Sequence, residues 1–105
     1  MLRNSKKEFI YELKPVPRLL KEDNWREEDK RIVDKHVKYL KELQGTNNLV
    51  LAGETQGLKE NKFRIVIIKA FTEEEALNIM NNDPVVKEEI MTASFNPYKT
   101  IVKEF

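Results

Sequence analysis

The chain contains a single histidine, His36, and the pattern around it places a titratable ring on a packing surface. If residues 31–43, RIVDKHVKYLKEL, form a helix, steps of about 100° put His36 on one arc with Ile32, Leu40 and Leu43. A neutral imidazole near pH 7 can take a proton from a substrate carbon or oxygen, so His36 is a candidate general base or acid. A core histidine bonded to backbone shows the same pattern, and the residues alone leave both interpretations open.

The composition narrows the chemistry further. The 105 residues include no cysteine, which excludes disulfides, thiolate catalysis and cysteine-ligated metal sites. One histidine also excludes a histidine-rich metal site within one chain. The motifs GxSxG, GxxxxGK[ST] and GxGxxG do not occur. We therefore expect chemistry that needs no metal and no organic cofactor.

Charge and hydropathy restrict the partners. The 19 basic and 18 acidic residues are interleaved and leave a net charge of +1, which argues against a nucleic-acid face. No apolar run approaches the ~20 residues of a membrane span, and the segment MLRNSKKEF lacks the apolar core of a signal peptide. We expect one soluble, cytoplasmic domain over residues 1–105, with no nucleic-acid or membrane partner.

Alternation and turn signals predict four strands. They are residues 6–14, 48–54 and 63–71, followed by a last strand after residue 91 that is broken or bulged at Pro97. The polar segment GETQGLKENK between the second and third strands predicts a hairpin connection.

Helix-start signals predict two main helices and a short third one. Asn24 is a candidate N-cap for a helix over about 25–43, with Glu27 as its capping-box partner. Thr72 begins a second helix, and Asp83, which precedes a proline, begins the short one. The order β, α, β, β, α, β is that of the ferredoxin-like α+β fold, an antiparallel four-stranded sheet with its helices on one face.

The second face of this sheet also needs a cover. The segment FRIVIIKAF is apolar on both faces, and two helices can cover only one of them. The simplest cover is the sheet of a second copy, which predicts a two-fold homodimer.

Two segments, VDKHVKYLKELQGTNNLVLAGE and EEEALNIMNNDPVVKEEIMTASFNPYK, resemble the YciI-like (YCII) family. The shared features are, in order, a helix histidine followed by YL and L, a strand ending in AG, then EEA, NDP and an aromatic residue after proline. The resemblance extends from Phe9 over nearly the whole chain. It implies a ferredoxin-like domain that forms a dimeric α/β barrel.

The resemblance further implies a His–Asp pair in a cleft, proposed to be catalytic, whose roles fall on His36 and Asp83. A carboxylate on the far ring nitrogen would fix the tautomer of His36 and stabilise its charged form. Asp83 is also a standard helix cap, and one carboxylate has enough acceptor sites for both roles. The family often has proline after the AG glycine, where this chain has Glu54, so the charge at the cleft rim differs.

Four other residues are candidates for substrate binding. Arg18 could clamp a substrate carboxylate bidentately, or could form an ion pair with a nearby acid. Trp25 and Tyr11 could wall a pocket, or could belong to the core or an interface. Gly53 would let the backbone approach a ligand, or could simply end the second strand.

The preferred interpretation is a small homodimeric enzyme in which His36 transfers protons and Asp83 orients it. Isomerase or lyase-like chemistry on a small anionic molecule would suit these residues. The alternative is a non-catalytic ligand-binding or interaction module that uses the same cleft. A third possibility is a haem-handling barrel with His36 as axial ligand.

Overall fold

The structure, a computed structural model, describes residues 5–57 and 62–104. Its strands are β1 (Lys7–Pro15), β2 (Leu49–Glu54), β3 (Arg64–Ala70) and β4 (Met91–Tyr98). Its helices are α1 (Glu27–Gly45), α2 (Glu73–Asn81) and α3 (Pro84–Lys87), and two 3₁₀ turns, Pro17–Leu20 and Glu22–Asn24, precede α1. The predicted order β, α, β, β, α, β is confirmed. No helix among the described residues is both long and apolar enough to cross a membrane.

The four strands form one antiparallel sheet in the order β2-β3-β1-β4. Alternate residues of the two central strands face the helices, and they are buried: Phe9, Tyr11 and Leu13 from β1, Val66 and Ile68 from β3. They share one apolar core with α1 and α2 side chains, among them Ile32, Leu43, Ala76 and Met80. The fold is therefore the ferredoxin-like α+β arrangement of the dimeric α/β barrel class, with helices on one face of the sheet.

Strand β2 contains a bulge that decides which side chains face the helices. The register with β3 changes between two pairs, Leu49 with Ile68 and Leu51 with Ile67. One extra residue on β2 keeps Leu49 on the helix face and also turns Glu54 to that face, directly opposite Arg64. The bulge therefore places a cross-strand charge pair beneath the helix layer.

The predicted start of α1 is wrong by two residues. Asn24 belongs to a 3₁₀ turn, where its side-chain amide donates to the carbonyl of Arg18 at 2.8 Å. The helix begins at Glu27, and the backbone N–H of Arg26 donates to the carboxylate of Asp29 at 2.9 Å. Asn24 does not cap α1, because it lies two residues before Arg26, the residue at the N-cap position.

The other two helix starts are confirmed. Thr72 Oγ1 accepts the backbone N–H of Glu75 at 3.1 Å, and Asp83 Oδ1 accepts that of Val85 at 3.2 Å. The expected break at Pro97 is wrong, since β4 pairs with β1 in continuous register through that residue. An edge strand accommodates proline because its outer side needs no donor.

The outer face of the sheet carries an apolar row. Ile67 lies between Ile10 and Leu51 on the neighbouring strands, and Leu51 is 46% exposed.

The hairpin connection between β2 and β3 is closed at its base, where the backbone N–H of Thr55 donates to Phe63 O at 2.9 Å. Residues 58–61 of this predicted connection lie outside the described residues.

Candidate functional site

His36 and Asp83 meet between the helices although 47 residues separate them in the chain. The inner arc of α1 holds His36, and the junction of α2 and α3 holds Asp83. Both side chains are fully buried, and His36 Nδ1 lies 2.7 Å from Asp83 Oδ1. The face of α1 that the sequence predicts to be apolar therefore also carries the buried imidazole of this polar pair.

The carboxylate of Asp83 is held by three groups. Besides the imidazole, the backbone N–H of Val85 donates to Oδ1 at 3.2 Å, and the hydroxyl of Tyr11 donates to Oδ2 at 2.8 Å. Both oxygens therefore accept hydrogen bonds, and the carboxylate has a fixed orientation. In the tautomer that satisfies this arrangement, Nδ1 of His36 carries the proton and Nε2 carries a lone pair.

Two tyrosines near Asp83 remain protonated donors. Burial raises the pKa of Tyr11 far above its usual range, and the adjacent carboxylate of Asp83 raises that pKa further. Burial and the same carboxylate raise the pKa of Tyr39 to about 12, and its hydroxyl donates to Ile79 O at 2.7 Å. The sequence leaves open whether Tyr11 walls a pocket or belongs to the core. The structure buries it in the core, where its hydroxyl supports Asp83.

The second ring nitrogen of His36, Nε2, is buried and has no hydrogen-bond partner among the described residues. His36 lines a cavity of about 170 Å³ together with Leu40, Ala52, Gly53, Glu54, Arg64, Ile65 and Val66. Gly53, a predicted site residue, is therefore in the wall of the His36 cavity.

A larger cavity of about 540 Å³ lies at the end of the sheet covered by the two 3₁₀ turns. Its apolar lining includes Leu13, Leu20, Trp25, Phe63 and Met91. The indole N–H of Trp25 donates to Leu19 O at 2.9 Å, which fixes the ring in place. Trp25, another predicted site residue, thus walls a cavity, but not the one that His36 lines.

Glu54 and Arg64 line both cavities. Arg64 Nε donates to Glu54 Oε1 at 3.2 Å, and the side chain of Arg64 is 22% exposed and that of Glu54 34%. The sequence patterns did not single out Arg64, which begins an otherwise apolar strand. Alternation along β3 could have placed it on the face of Val66, but only the register with β2 brings it to the His36 cavity.

Arg18, the predicted anion clamp, is bound elsewhere. Its two terminal nitrogens donate to the two oxygens of Asp29 at 2.9 and 2.7 Å. This bidentate bond, more than any other cause, lowers the pKa of Asp29 to about 2. The structure therefore brings Arg18 to Asp29, in the ion pair that was its alternative role, and not to the lining of either cavity.

The donor groups set limits on bound cofactors. Within residues 5–57 and 62–104, no three His, Asp or Glu side chains are grouped as a metal site requires. The cavity beside His36, at about 170 Å³, is smaller than the ~300–1,000 Å³ of sites for drug-sized ligands. The arrangement is compatible with proton transfer between Nε2 and a small ligand.

Comparisons with known proteins agree with the fold. A family profile for the YCII-related domain matches residues 9–94 of the chain. Among proteins of curated function, none has a significantly similar sequence. A solved structure of similar fold is the 5-chloro-2-hydroxyhydroquinone dehydrochlorinase TftG from Burkholderia phenoliruptrix AC1100, in complex with 2,5-dihydroxybenzoquinone. It is 19% identical, with a TM-score of 0.66 over 88% of this chain and 93% of that one.

Proposed function

The chain belongs to the family of YCII-related domains, and from this premise we propose that it is a small enzyme that transfers protons through His36 and Asp83. The proposed chemistry is of the isomerase or lyase type, acts on a small anionic molecule and uses no cofactor. Nε2 of His36 carries this proposal, because it is a buried basic nitrogen without a partner among the described residues, in a ring that lines a cavity.

In the proposed mechanism, His36 and Asp83 each have a defined role in proton transfer. Asp83 accepts the Nδ1 proton of His36 in a hydrogen bond, so the Nε2 lone pair can take a proton as a substrate C–H or O–H bond breaks. The imidazolium that forms is stabilised by the carboxylate at 2.7 Å. Return of the proton to another substrate atom completes an isomerisation. Departure of a leaving group with its bonding electrons completes an elimination, and His36 then releases the proton to solvent.

The named activity of the structural neighbour supports the elimination option. A dehydrochlorinase removes a proton and a chloride ion, and proton removal requires a base. The likeness of the two chains at 19% identity extends to the fold alone. We therefore use that neighbour's substrate as a probe for this chain and do not transfer its specificity.

The test is a pair of assays on wild type and His36→Ala. One follows chloride release from 5-chloro-2-hydroxyhydroquinone, and the other follows exchange of ring hydrogens of 2,5-dihydroxybenzoquinone for deuterium by NMR. We expect His36→Ala to lower either rate about 10²–10⁴-fold, the contribution of a general acid or base. Arg31→Gln, on an exposed position of α1, is the matched control. An unchanged rate in His36→Ala would refute the proposal. A ligand that binds and is recovered unchanged would favour the binding-module alternative.

We also propose that the protein acts as a homodimer through the outer face of the sheet. The row of Ile10, Ile67 and Leu51 supports this, because 46% of Leu51 is exposed on a face that no helix covers among the described residues. Leu51→Lys should yield a monomer by light scattering. Val37→Lys is the control, since Val37 is 39% exposed on α1. A dimer that persists in Leu51→Lys would contradict this interface.

A cytoplasmic location stays a prediction from the sequence.

A further inference from the structure

The two cavities adjoin on the helix face of the sheet, and neither is sufficient alone. The cavity that His36 lines, at about 170 Å³, is small for a ring-sized ligand, whereas the larger one, at about 540 Å³, is of suitable size but lacks the histidine. Glu54 and Arg64 are common to both linings. The boundary between the two cavities is therefore an ion pair of flexible side chains.

We propose that the two cavities form one site for a planar aromatic or quinonoid anion, and that Arg64 is its anion-binding residue. The ring of the ligand extends from the larger cavity, beside Trp25, across the boundary into the smaller one, and its charged group binds Arg64. Glu54 holds Arg64 until the ligand replaces it. The orientation of the reacting atom toward His36 rests on the function proposed above, but binding of the anion by Arg64 does not.

The bond between Arg64 and Glu54 is suited to exchange. Glu54 engages only Nε of Arg64, and no hydrogen bond from the terminal nitrogens is present within the described part of the chain. A guanidinium binds a carboxylate best through two parallel bonds, as Arg18 binds Asp29. An incoming carboxylate or phenolate can thus form a stronger contact with Arg64 than Glu54 does. Because both side chains are partly exposed, breaking their pair costs little.

The lining of the larger cavity matches an aromatic anion. Its wall combines apolar groups, including Trp25 and Phe63, with three cationic side chains, Lys30, Lys62 and Arg64. The anionic side chains are Glu22 and Glu54. Lys30 has an acidic partner of its own, since its amine lies 3.6 Å from Glu27. When Glu54 turns away from Arg64, Lys62 and Arg64 face the single acid Glu22, and a ligand of negative charge restores the balance.

The strand register sets the distance from Arg64 to the strand residues that line the cavity with His36. The Glu54–Arg64 pair is followed, two residues along the same face, by the pair Ala52–Val66, which lines the cavity with His36. Two residues along a strand span about 7 Å, roughly the length of a substituted aromatic ring. A ligand anchored on Arg64 can therefore reach the small cavity.

The chain offers one reporter for each cavity, because Trp25 is its only tryptophan and His36 its only histidine. The probe is benzoate, and its uncharged isostere benzamide is the control ligand. We expect benzoate to change Trp25 fluorescence and the imidazole NMR signals of His36 with one Kd. Benzamide should bind at least tenfold more weakly, because it lacks the charge that Arg64 recognises.

Three variants test the role of the ion pair. Arg64→Gln should weaken benzoate at least tenfold, Arg64→Lys should be intermediate, and Glu54→Gln should tighten it several-fold by removing the competing carboxylate. Arg31→Gln should bind like wild type. A partly unfolded variant cannot mimic this pattern, since Glu54→Gln shifts the affinity in the opposite direction.

Four results would overturn the inference. They are no benzoate binding to wild type at millimolar concentration, equal binding of benzamide, an Arg64→Gln affinity within twofold of wild type, or a response of only one reporter. These measurements involve no turnover. Loss of the Arg64 dependence while His36→Ala still stops turnover would refute this inference alone. A retained Arg64 dependence in a protein whose turnover survives His36→Ala would refute only the proposed proton transfer.

Discussion

Two aspartates are buried in the described part of this protein, and they occupy similar positions with different partners. Asp29 is 2% exposed and Asp83 is fully buried. Each lies at the start of a helix and accepts a backbone N–H, from Arg26 at 2.9 Å and from Val85 at 3.2 Å respectively. Their side-chain partners separate them, since Asp29 binds a guanidinium and Asp83 binds an imidazole and a phenol.

The difference shows that the partner decides whether a buried carboxylate can take part in chemistry. Arg18 keeps its proton at every accessible pH, so its bond with Asp29 has a single state and serves only structure. An imidazole, unlike a guanidinium, can both accept and release a proton, and the carboxylate of Asp83 lies against the imidazole of His36. A helix cap beside a permanent cation has a structural role alone, whereas in the proposed mechanism the cap beside His36 also positions the imidazole for proton transfer.

Exchanging Asp83 for asparagine is the strongest way to break this comparison. In Asp83→Asn the amide oxygen can still accept from Val85 N–H and His36 Nδ1, but the negative charge that stabilises the imidazolium is lost. We expect kcat to fall about 10²-fold or more, as measured by steady-state kinetics. Asp29→Asn is the control and should keep kcat close to wild type. Equal losses in the two variants would contradict the distinction between the two aspartates.

Removing the hydroxyl that holds Asp83 should have a smaller effect. Tyr11→Phe deletes the donor to Oδ2 and leaves a buried acceptor unsatisfied, which costs about 1–3 kcal/mol in the free energy of unfolding. We expect kcat to fall several-fold as well, because the carboxylate can then rotate. Tyr39→Phe is the matched control, since its hydroxyl donates to Ile79 O and not to Asp83. A Tyr11→Phe variant that loses stability at unchanged kcat would make Tyr11 purely structural.

The other aspartate should show the reverse pattern. Asp29→Asn weakens the start of α1 and the bond to Arg18, so we expect a loss of about 1–2 kcal/mol in the free energy of unfolding by urea denaturation. The activity of the folded fraction should remain. A substantial loss of kcat at full folding would place Asp29 in the site and remove the contrast with Asp83.

The pH dependence of stability gives the finest distinction. The pKa of Asp29 is about 2 in the folded chain, mainly because of its bond to Arg18, and is near 4 when unfolded. Its stabilising contribution is therefore complete above about pH 5 and is lost as the pH falls toward 2. The stability difference between wild type and Asp29→Asn should shrink over this range, and Arg18→Gln should show the same narrowing. A difference that stays constant down to about pH 2.5 would refute this assignment.

Local signals in the sequence predicted the fold and the helices that carry the candidate site. They did not predict which charged side chains form ion pairs. Short-range patterns place His36 on the inner arc of a helix and Asp83 at a helix start, but only the resemblance to the YCII family pairs the two residues. The partners of Arg18 and Arg64 could not be predicted from local patterns. The 3₁₀ turns bring Arg18 to Asp29, and the strand register brings Arg64 to Glu54. The same limit applies to Pro97, because proline is compatible with β4 only at the edge of the sheet.

The bulge in β2 makes the site sensitive to the number of residues in that strand as well as to their identity. Deleting Val50 would restore an even register with β3, and one half of the strand would have to invert. Either Leu49 would leave the core, or Glu54 would turn to the outer face and away from Arg64. A one-residue deletion far from His36 in the chain could thus alter the charge lining its cavity without changing a single side chain there. Point substitutions in β2 should be tolerated more readily than insertions or deletions of odd length.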